Sequence, residues 1–189
     1  MEARQQEEYY TYADYLTWED GPRVELIDGE MYMMSSPTWQ HQRISDELSR
    51  LLGNYLVGKP CVPFSAPLDI RFEDDDKADT VLQPDIVVIC EREKLKPKGS
   101  IVGAPTLVIE VLSPSTMFYD MNCKALLYER MKVPEYWMID GNSRTIYQCV
   151  LTGGLYGAAD AIEEGRVVSS SIEGFGVDLQ ELFAVLDGY

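Results

Sequence analysis

A mixed α/β domain, with one mixed β-sheet flanked by helices, is the fold class this sequence predicts. Three observations predict it. Two continuous apolar runs, "PDIVVIC" and "TLVIEVL", have the length and residue types of strands covered on both faces. One long stretch, "TWQHQRISDELSRLLGNYL", repeats its apolar residues at helical spacing. These alternate along the chain with further short strands and helices, the order expected when helices pack on a sheet.

Taken in order, "YTYADYLTWED" can start a short helix after Thr11. "RVELIDGEMYMMS" is a hairpin signal, with two alternating runs around Asp28-Gly29, a dipeptide suited to a type I′ turn. From Thr38, the apolar positions Ile44, Leu48, Leu51, Leu52 and Tyr55 trace one helix face, and Gly58 and Pro60 stop the helix. "CVPFSAPLDIRF" reads as two short strands interrupted by prolines. The runs "PDIVVIC" and "TLVIEVL" follow as central strands, and "SPST" offers Ser115 or Thr116 as a helix cap. "MFYDMNCKALLYERMKV" is the next helix, with Met121, Ala125, Tyr128 and Met131 broadly on one side. "PEYWMID" and "RTIYQCVL" are expected to pair across Gly141-Asn142. "GLYGAADAIEEGRVVSSS" reads as a further hairpin, and "DLQELFAVL" as a last short helix. The expected architecture thus carries an N-terminal hairpin and a C-terminal β-hairpin as additions to the sheet.

The length of 189 residues suits one domain, 1–189, with a sizeable core, and 46% apolar with 25% charged residues is an ordinary globular balance. No stretch approaches the roughly 20 apolar residues that span a bilayer. The polar start "MEARQQEEYY" lacks the apolar core of a signal peptide. A soluble, cytoplasmic protein with no membrane partner is therefore expected. Cys61, Cys90, Cys123 and Cys149 are widely spaced with no CxxC pair, so buried thiols are expected rather than a zinc site or a disulfide framework.

Sixteen Lys and Arg against 32 Asp and Glu leave a net charge of −16. A dedicated nucleic-acid binder usually carries a basic face, so the basic residues would have to cluster. They do so between Arg92 and Lys98, in "EREKLKPKGS", which is either a local phosphate contact or a solvated connection of mixed charge. "EDDDKAD", Glu73 to Asp79, reads as a solvated acidic loop. It lacks the glycine and closing glutamate of a calcium loop.

Glu110 is the anomaly of the central strands. It shares a face with Val108 and Leu112, while Leu107, Ile109 and Val111 point the other way. A lone carboxylate on a covered sheet either neutralises or finds a partner. Asp85 opens the other apolar run. If the two strands are neighbours, two carboxylates meet, and a hard divalent cation with oxygen ligands is a natural solution. Lys124, four residues after Asp120, shares its helix face; it reads as a surface ion pair or as a cation turned toward the site.

The stretches "VELIDGEMYMMSSPTWQHQRIS", "QPDIVVI", "GAPTLVIEVLSPST" and "DMNCKALLYERMKVPEYWMID" appear in an order that resembles the Uma2 family, also called DUF820. That family is a branch of the PD-(D/E)XK nuclease superfamily. The resemblance covers about Val24 to Val150. It implies a restriction-endonuclease-like fold with Asp85 as the PD aspartate and Glu110 as the (D/E) residue. The parent motif would carry lysine two residues after the glutamate, where this chain has Leu112; the resemblance moves that role to Lys124. Glu25 matches an additional acidic metal or water contact, and His41 a histidine near the start of the long helix. Tyr128 is expected as core or as support behind the site.

The implied function is a Mg2+- or Mn2+-dependent endonuclease-like phosphodiesterase acting on DNA. Asp85, Glu110 and the Val111 backbone carbonyl are the expected metal ligands. Two other readings stand beside it: a binding or regulatory protein without catalysis on a nuclease-like fold, and a self-associating interaction protein. Exposed aromatics such as Tyr9, Tyr10 and Trp18 would supply a dimer surface for the last. A homodimer is expected, as the resemblance to nuclease-like folds implies, and it is compatible with all three readings.

Overall fold

In the computed structural model, which describes residues 8–18, 23–97, 99–113 and 117–188, the turn at Asp28-Gly29 takes the geometry its residues favour. φ is 51° at Asp28 and 82° at Gly29. Positive φ at both central positions is the type I′ turn, whose twist matches the flanking strands. Strands β1 (Val24–Ile27) and β2 (Glu30–Met33) pair antiparallel across it. Ahead of the hairpin, α1 (Tyr12–Tyr15) follows Thr11, whose backbone N–H and hydroxyl both donate to the Asp14 carboxylate. Behind it, α2 (Trp39–Leu56) starts at Thr38, whose Oγ1 accepts from the backbone N–H of His41 at 3.3 Å. Ile44, Leu48, Leu52 and Leu56 form its buried stripe, one residue per turn.

The central strands follow as β3 (Val62–Ser65), β4 (Ile70–Arg71), β5 (Val81–Leu82), β6 (Ile86–Ile89), β7 (Ile101–Val102) and β8 (Leu107–Val111). The next helix is interrupted: α3 (Met117–Tyr119), a π-helical turn (Asp120–Lys124) and α4 (Ala125–Arg130). Then come β9 (Glu135–Asp140), β10 (Thr145–Thr152), β11 (Leu155–Tyr156), β12 (Asp160–Ile162), β13 (Arg166–Val168), β14 (Gly176–Asp178) and α5 (Leu179–Phe183).

The expected mixed α/β class holds, but the strands divide among sheets. A seven-stranded sheet runs β11-β10-β9-β8-β6-β3 with β12 also on β10, and is mixed because β8 and β9 are parallel. A five-stranded sheet runs β2-β1-β5-β4-β7, so the N-terminal hairpin is the end of a sheet rather than a free addition. The larger sheet is covered on both faces, as its apolar runs require. On one face Ile86, Val88, Leu107, Ile109 and Trp137 pack with α2 and α5. On the other Val87, Ile89, Val108, Tyr136 and Met138 pack with Leu127 and Tyr128 of α4. Burial of each large apolar side chain contributes about 1.5–3 kcal/mol to this core.

Four expectations are corrected. Cys61 and Cys90 are joined in a disulfide, because β3 and β6 are antiparallel with Val62 opposite Ile89, which puts the two cysteines side by side just beyond that pair. Of the two remaining thiols, Cys149 is buried as expected and Cys123 is exposed. The stretch from Gly154 to Ser171 does not close on itself: β11 and β12 both pair with β10, while β13 pairs with β14 as the C-terminal hairpin. Tyr10 and Trp18 are not a bare surface, since each is half-buried and they meet edge-on at 5.1 Å; Tyr9 alone of the three is well exposed. The caps expected at Ser115 or Thr116 lie outside the described residues. Among the described residues, no helix is long and apolar enough to cross a membrane.

Candidate functional site

β6 and β8 are antiparallel neighbours with Ile86 opposite Ile109. The same register sets Asp85 opposite Glu110, and directly opposed residues share a face. Two cross-strand bonds fix them there. The Val111 N–H donates to Asp85 Oδ2 at 2.8 Å, and the Asp85 N–H reaches Glu110 Oε2 at 3.4 Å. The two carboxylates on the central strands therefore meet.

Lys124 comes to them from the π-helical turn. A π turn inserts extra backbone into a helix and commonly marks a functional position. Here it carries both Asp120 and Lys124 inward, each only 4% exposed. The Lys124 ammonium lies 2.8 Å from Glu110 Oε1, 3.1 Å from Glu25 Oε1 and 3.7 Å from Asp120 Oδ1. It is a buried cation among three carboxylates, not a surface ion pair. Burial alone would pull its pKa down, but the charges of Glu110, Glu25 and Asp120 hold it well above the ordinary lysine value. Burial lifts the Glu110 carboxyl well above its ordinary range, against the pull of Lys124 and with the push of Asp85, Asp120 and Glu25.

Glu25 is buried. Its Oε1 accepts from Lys124 and also from the Gln83 N–H at 3.0 Å, which ties the hairpin to the segment before Asp85. His41 stands in the first turn of α2, and its Nε2 lies 3.0 Å from Asp85 Oδ2. Tyr128, fully buried, donates its hydroxyl to Glu110 Oε1 at 3.1 Å. All five predicted site side chains, together with Val111, line one cleft of about 630 Å³. Arg92, Lys94 and Lys96 do not line it. Lys94 is paired with Glu91 and Lys96 with Asp74, so those two lysines are neutralised where they stand; Lys98 lies outside the described residues.

Among the cleft residues that sequence reasoning did not assign to the site, Asp120, Tyr119 and Tyr32 stand beside Lys124 and Glu25. Asp120 was legible only as a partner of Lys124. Tyr119, next to it, also lines the cleft. Tyr32 lines it too, and here a signal existed: a two-residue turn at Asp28-Gly29 forces Glu25 to face Tyr32 across the hairpin.

Among the described residues, no three His, Cys, Asp or Glu side chains form a metal-holding group. The donor chemistry nonetheless fits a hard cation. Asp85 and Glu110 are oxygen donors on one face, and Glu110 gives one oxygen to Lys124 while the other turns toward Asp85. Mg2+ in particular is usually held by one or two carboxylates, with water or substrate oxygens filling the rest.

Known proteins place these features in company. The Uma2 family model, described as "Putative restriction endonuclease", matches residues 8–180. Two proteins of Synechocystis sp. (strain ATCC 27184 / PCC 6803 / Kazusa) are similar in sequence. "Uncharacterized protein slr1290" is 33% identical over 133 residues, 69% of this chain and 68% of that protein. "Uncharacterized protein sll1609" is 30% identical over 134 residues, 69% and 74% respectively. A crystal structure described as a "putative nuclease belonging to DUF820" from Anabaena variabilis ATCC 29413 has the same fold. Its TM-score is 0.77 at 21% identity, over 94% of this chain and 99% of that one.

Proposed function

This chain belongs to the Uma2 family, and from that premise we propose that its cleft is the active site of a Mg2+- or Mn2+-dependent endonuclease-like phosphodiesterase acting on DNA. The observation that carries the reading is the convergence of Asp85, Glu110 and Lys124, from three separate elements, on one cleft.

Asp85, Glu110 and the Val111 carbonyl would hold the cation, which when bound would polarise a phosphate oxygen and lower the pKa of a water. The remaining work falls to the chain's own groups. Lys124, kept charged by its carboxylates, offers an ammonium to the charge that develops on the phosphate. His41 and the Val111 N–H hold Asp85 Oδ2 in place, leaving Oδ1 to act. Tyr128 fixes Glu110 from behind, and Glu25 fixes Lys124. A cytoplasmic homodimer belongs to the same proposal; a sizing column tests the dimer.

Calorimetric titration of Mn2+ into the wild-type chain and into Asp85→Ala is the test, followed by incubation with DNA. Saturable binding lost in the variant, together with metal-dependent cutting, is the expected result. No binding, or binding indifferent to the substitution, overturns the metal site. A binding protein without catalysis is the second reading. It is favoured by the −16 charge and by Leu112 where the parent motif has lysine. Mn2+ binding without any cutting would select it.

A further inference from the structure

The cleft has an aromatic wall that the metal site does not use. Tyr32 on the edge strand β2 and Tyr119 at the end of α3 lie with ring centroids 5.2 Å apart, their planes 33° from parallel. Both line the cleft beside Glu25 and Lys124. The Tyr119 hydroxyl is buried and has no hydrogen-bond partner among the described residues. Such a group is costly unless something entering the cleft satisfies it. Burial, then the charge of Glu25, raises the Tyr119 pKa, so the phenol stays a neutral donor.

The charges around this wall argue against a duplex. The cleft is lined by five carboxylates against two permanent cations, Arg23 and Lys124. Arg23 already donates to Gln83 Oε1 at 2.9 Å and 3.1 Å, and Lys124 sits among carboxylates. Duplex binders draw affinity from many Lys and Arg contacts to phosphate. Single strands have another source: a base stacked on an aromatic ring contributes about 1–3 kcal/mol without needing a basic track. The cleft volume of about 630 Å³ is that of a small-ligand site, not of a groove embracing a double helix.

Resting on the nuclease reading above, we infer that the cleft receives an unpaired nucleotide, its base against the Tyr32–Tyr119 wall and its phosphate toward Lys124. The substrate is then single-stranded nucleic acid. The Tyr119 hydroxyl donates to the phosphate or to a base edge, and the scissile position must be free of its complementary strand.

The test is fluorescence anisotropy of the full chain, in EDTA, with three labelled probes: a short DNA single strand, the matching RNA single strand, and the same DNA as a duplex. At least one single strand binds about 10-fold or more tighter than the duplex, and Tyr32→Ala removes about that factor while Tyr32→Phe keeps it. The DNA and RNA arms identify which backbone the cleft accepts. Affinity falls only shallowly with salt, as for one or two neutralised phosphates. If Tyr32→Ala fails to fold by circular dichroism, Tyr32→Thr takes its place, since threonine suits a strand. Duplex bound as tightly as either single strand, or single-strand affinity unchanged by loss of the ring, overturns the inference. Duplex cutting with Mn2+ that ignores Tyr32 would sink the inference and spare the nuclease. Ring-dependent single-strand binding in a chain that takes up no Mn2+ would do the reverse.

Discussion

Lys124 and Glu110 stand fourteen residues apart on different elements, and their charged atoms meet at 2.8 Å with both side chains about 5–7% exposed. Such a pair is not a strong source of stability by itself, because desolvation offsets much of the attraction. Breaking it is another matter. Glu25, Glu110 and Asp120 would be left facing one another without their cation.

Lys124→Met should therefore lower unfolding free energy by about 3–5 kcal/mol in urea at neutral pH. Saturating Mn2+ should restore part of the loss, since a cation in the cleft would replace the missing ammonium. A loss below about 1 kcal/mol, the size of an exposed pair, would contradict the buried geometry.

Glu135 makes a second prediction, away from the cleft. This fully buried carboxylate accepts from Trp137 Nε1 at 2.7 Å, Gln148 Nε2 at 2.6 Å, Ser169 Oγ at 2.6 Å and the Ser171 N–H at 2.8 Å. It pins the serine run before β14 to the sheet. Glu135→Gln turns one acceptor into a donor facing donors, at a cost of about 2–3 kcal/mol. Mn2+ binding should be unchanged, because Glu135 does not line the cleft.

The thiols can be counted. The unfolded, unreduced chain should show two reactive thiols, Cys123 and Cys149, because Cys61 and Cys90 are bridged. In the native chain Cys123 should react rapidly and Cys149 slowly. Reduction before unfolding should raise the count to four. Four thiols without reductant would refute the bridge.

Alkaline pH should weaken the fold. Burial pushes the Cys149 thiol from 9.0 up to about 11, and pushes the Tyr136 phenol well above its ordinary value. A group whose folded pKa is raised favours the folded state most below its unfolded pKa, and that contribution is lost as pH rises through the folded pKa. Through these two groups stability should fall from pH 9.0 toward about 11 and beyond. Chemical denaturation across that range checks it. Cys149→Ala should flatten the first part of the decline.

Much of this was legible in the sequence because it follows from parity. The alternation that sets Glu110 apart from Ile109 and Val111 also gives its face, and the apolar runs announce a sheet covered on both sides. The Asp28-Gly29 dipeptide dictates the hairpin, and with it the Glu25–Tyr32 pairing. What stayed hidden depends on register between distant strands or on side-chain reach. Nothing in the spacing of Cys61 and Cys90 says that Val62 will oppose Ile89. Nothing in "MFYDMNCKALLYERMKV" announces a π turn, so spacing alone leaves Lys124 either in a surface pair with Asp120 or turned toward the site. Glu135 looks like the polar end of a strand until the serines of a segment 34 residues away fold over it.

The Cys61–Cys90 bridge also changes the topology of the molecule as a covalent object. It closes residues 61–90 into a ring from which the two ends of the chain run out as tails. The ring contains Asp85 and the exposed acidic stretch from Glu73 to Lys77. A protease nick in that stretch would not divide the protein: one band should run on a non-reducing gel and two after reduction. The strand that presents Asp85 would stay chemically fastened to the rest even after its own loop was cut.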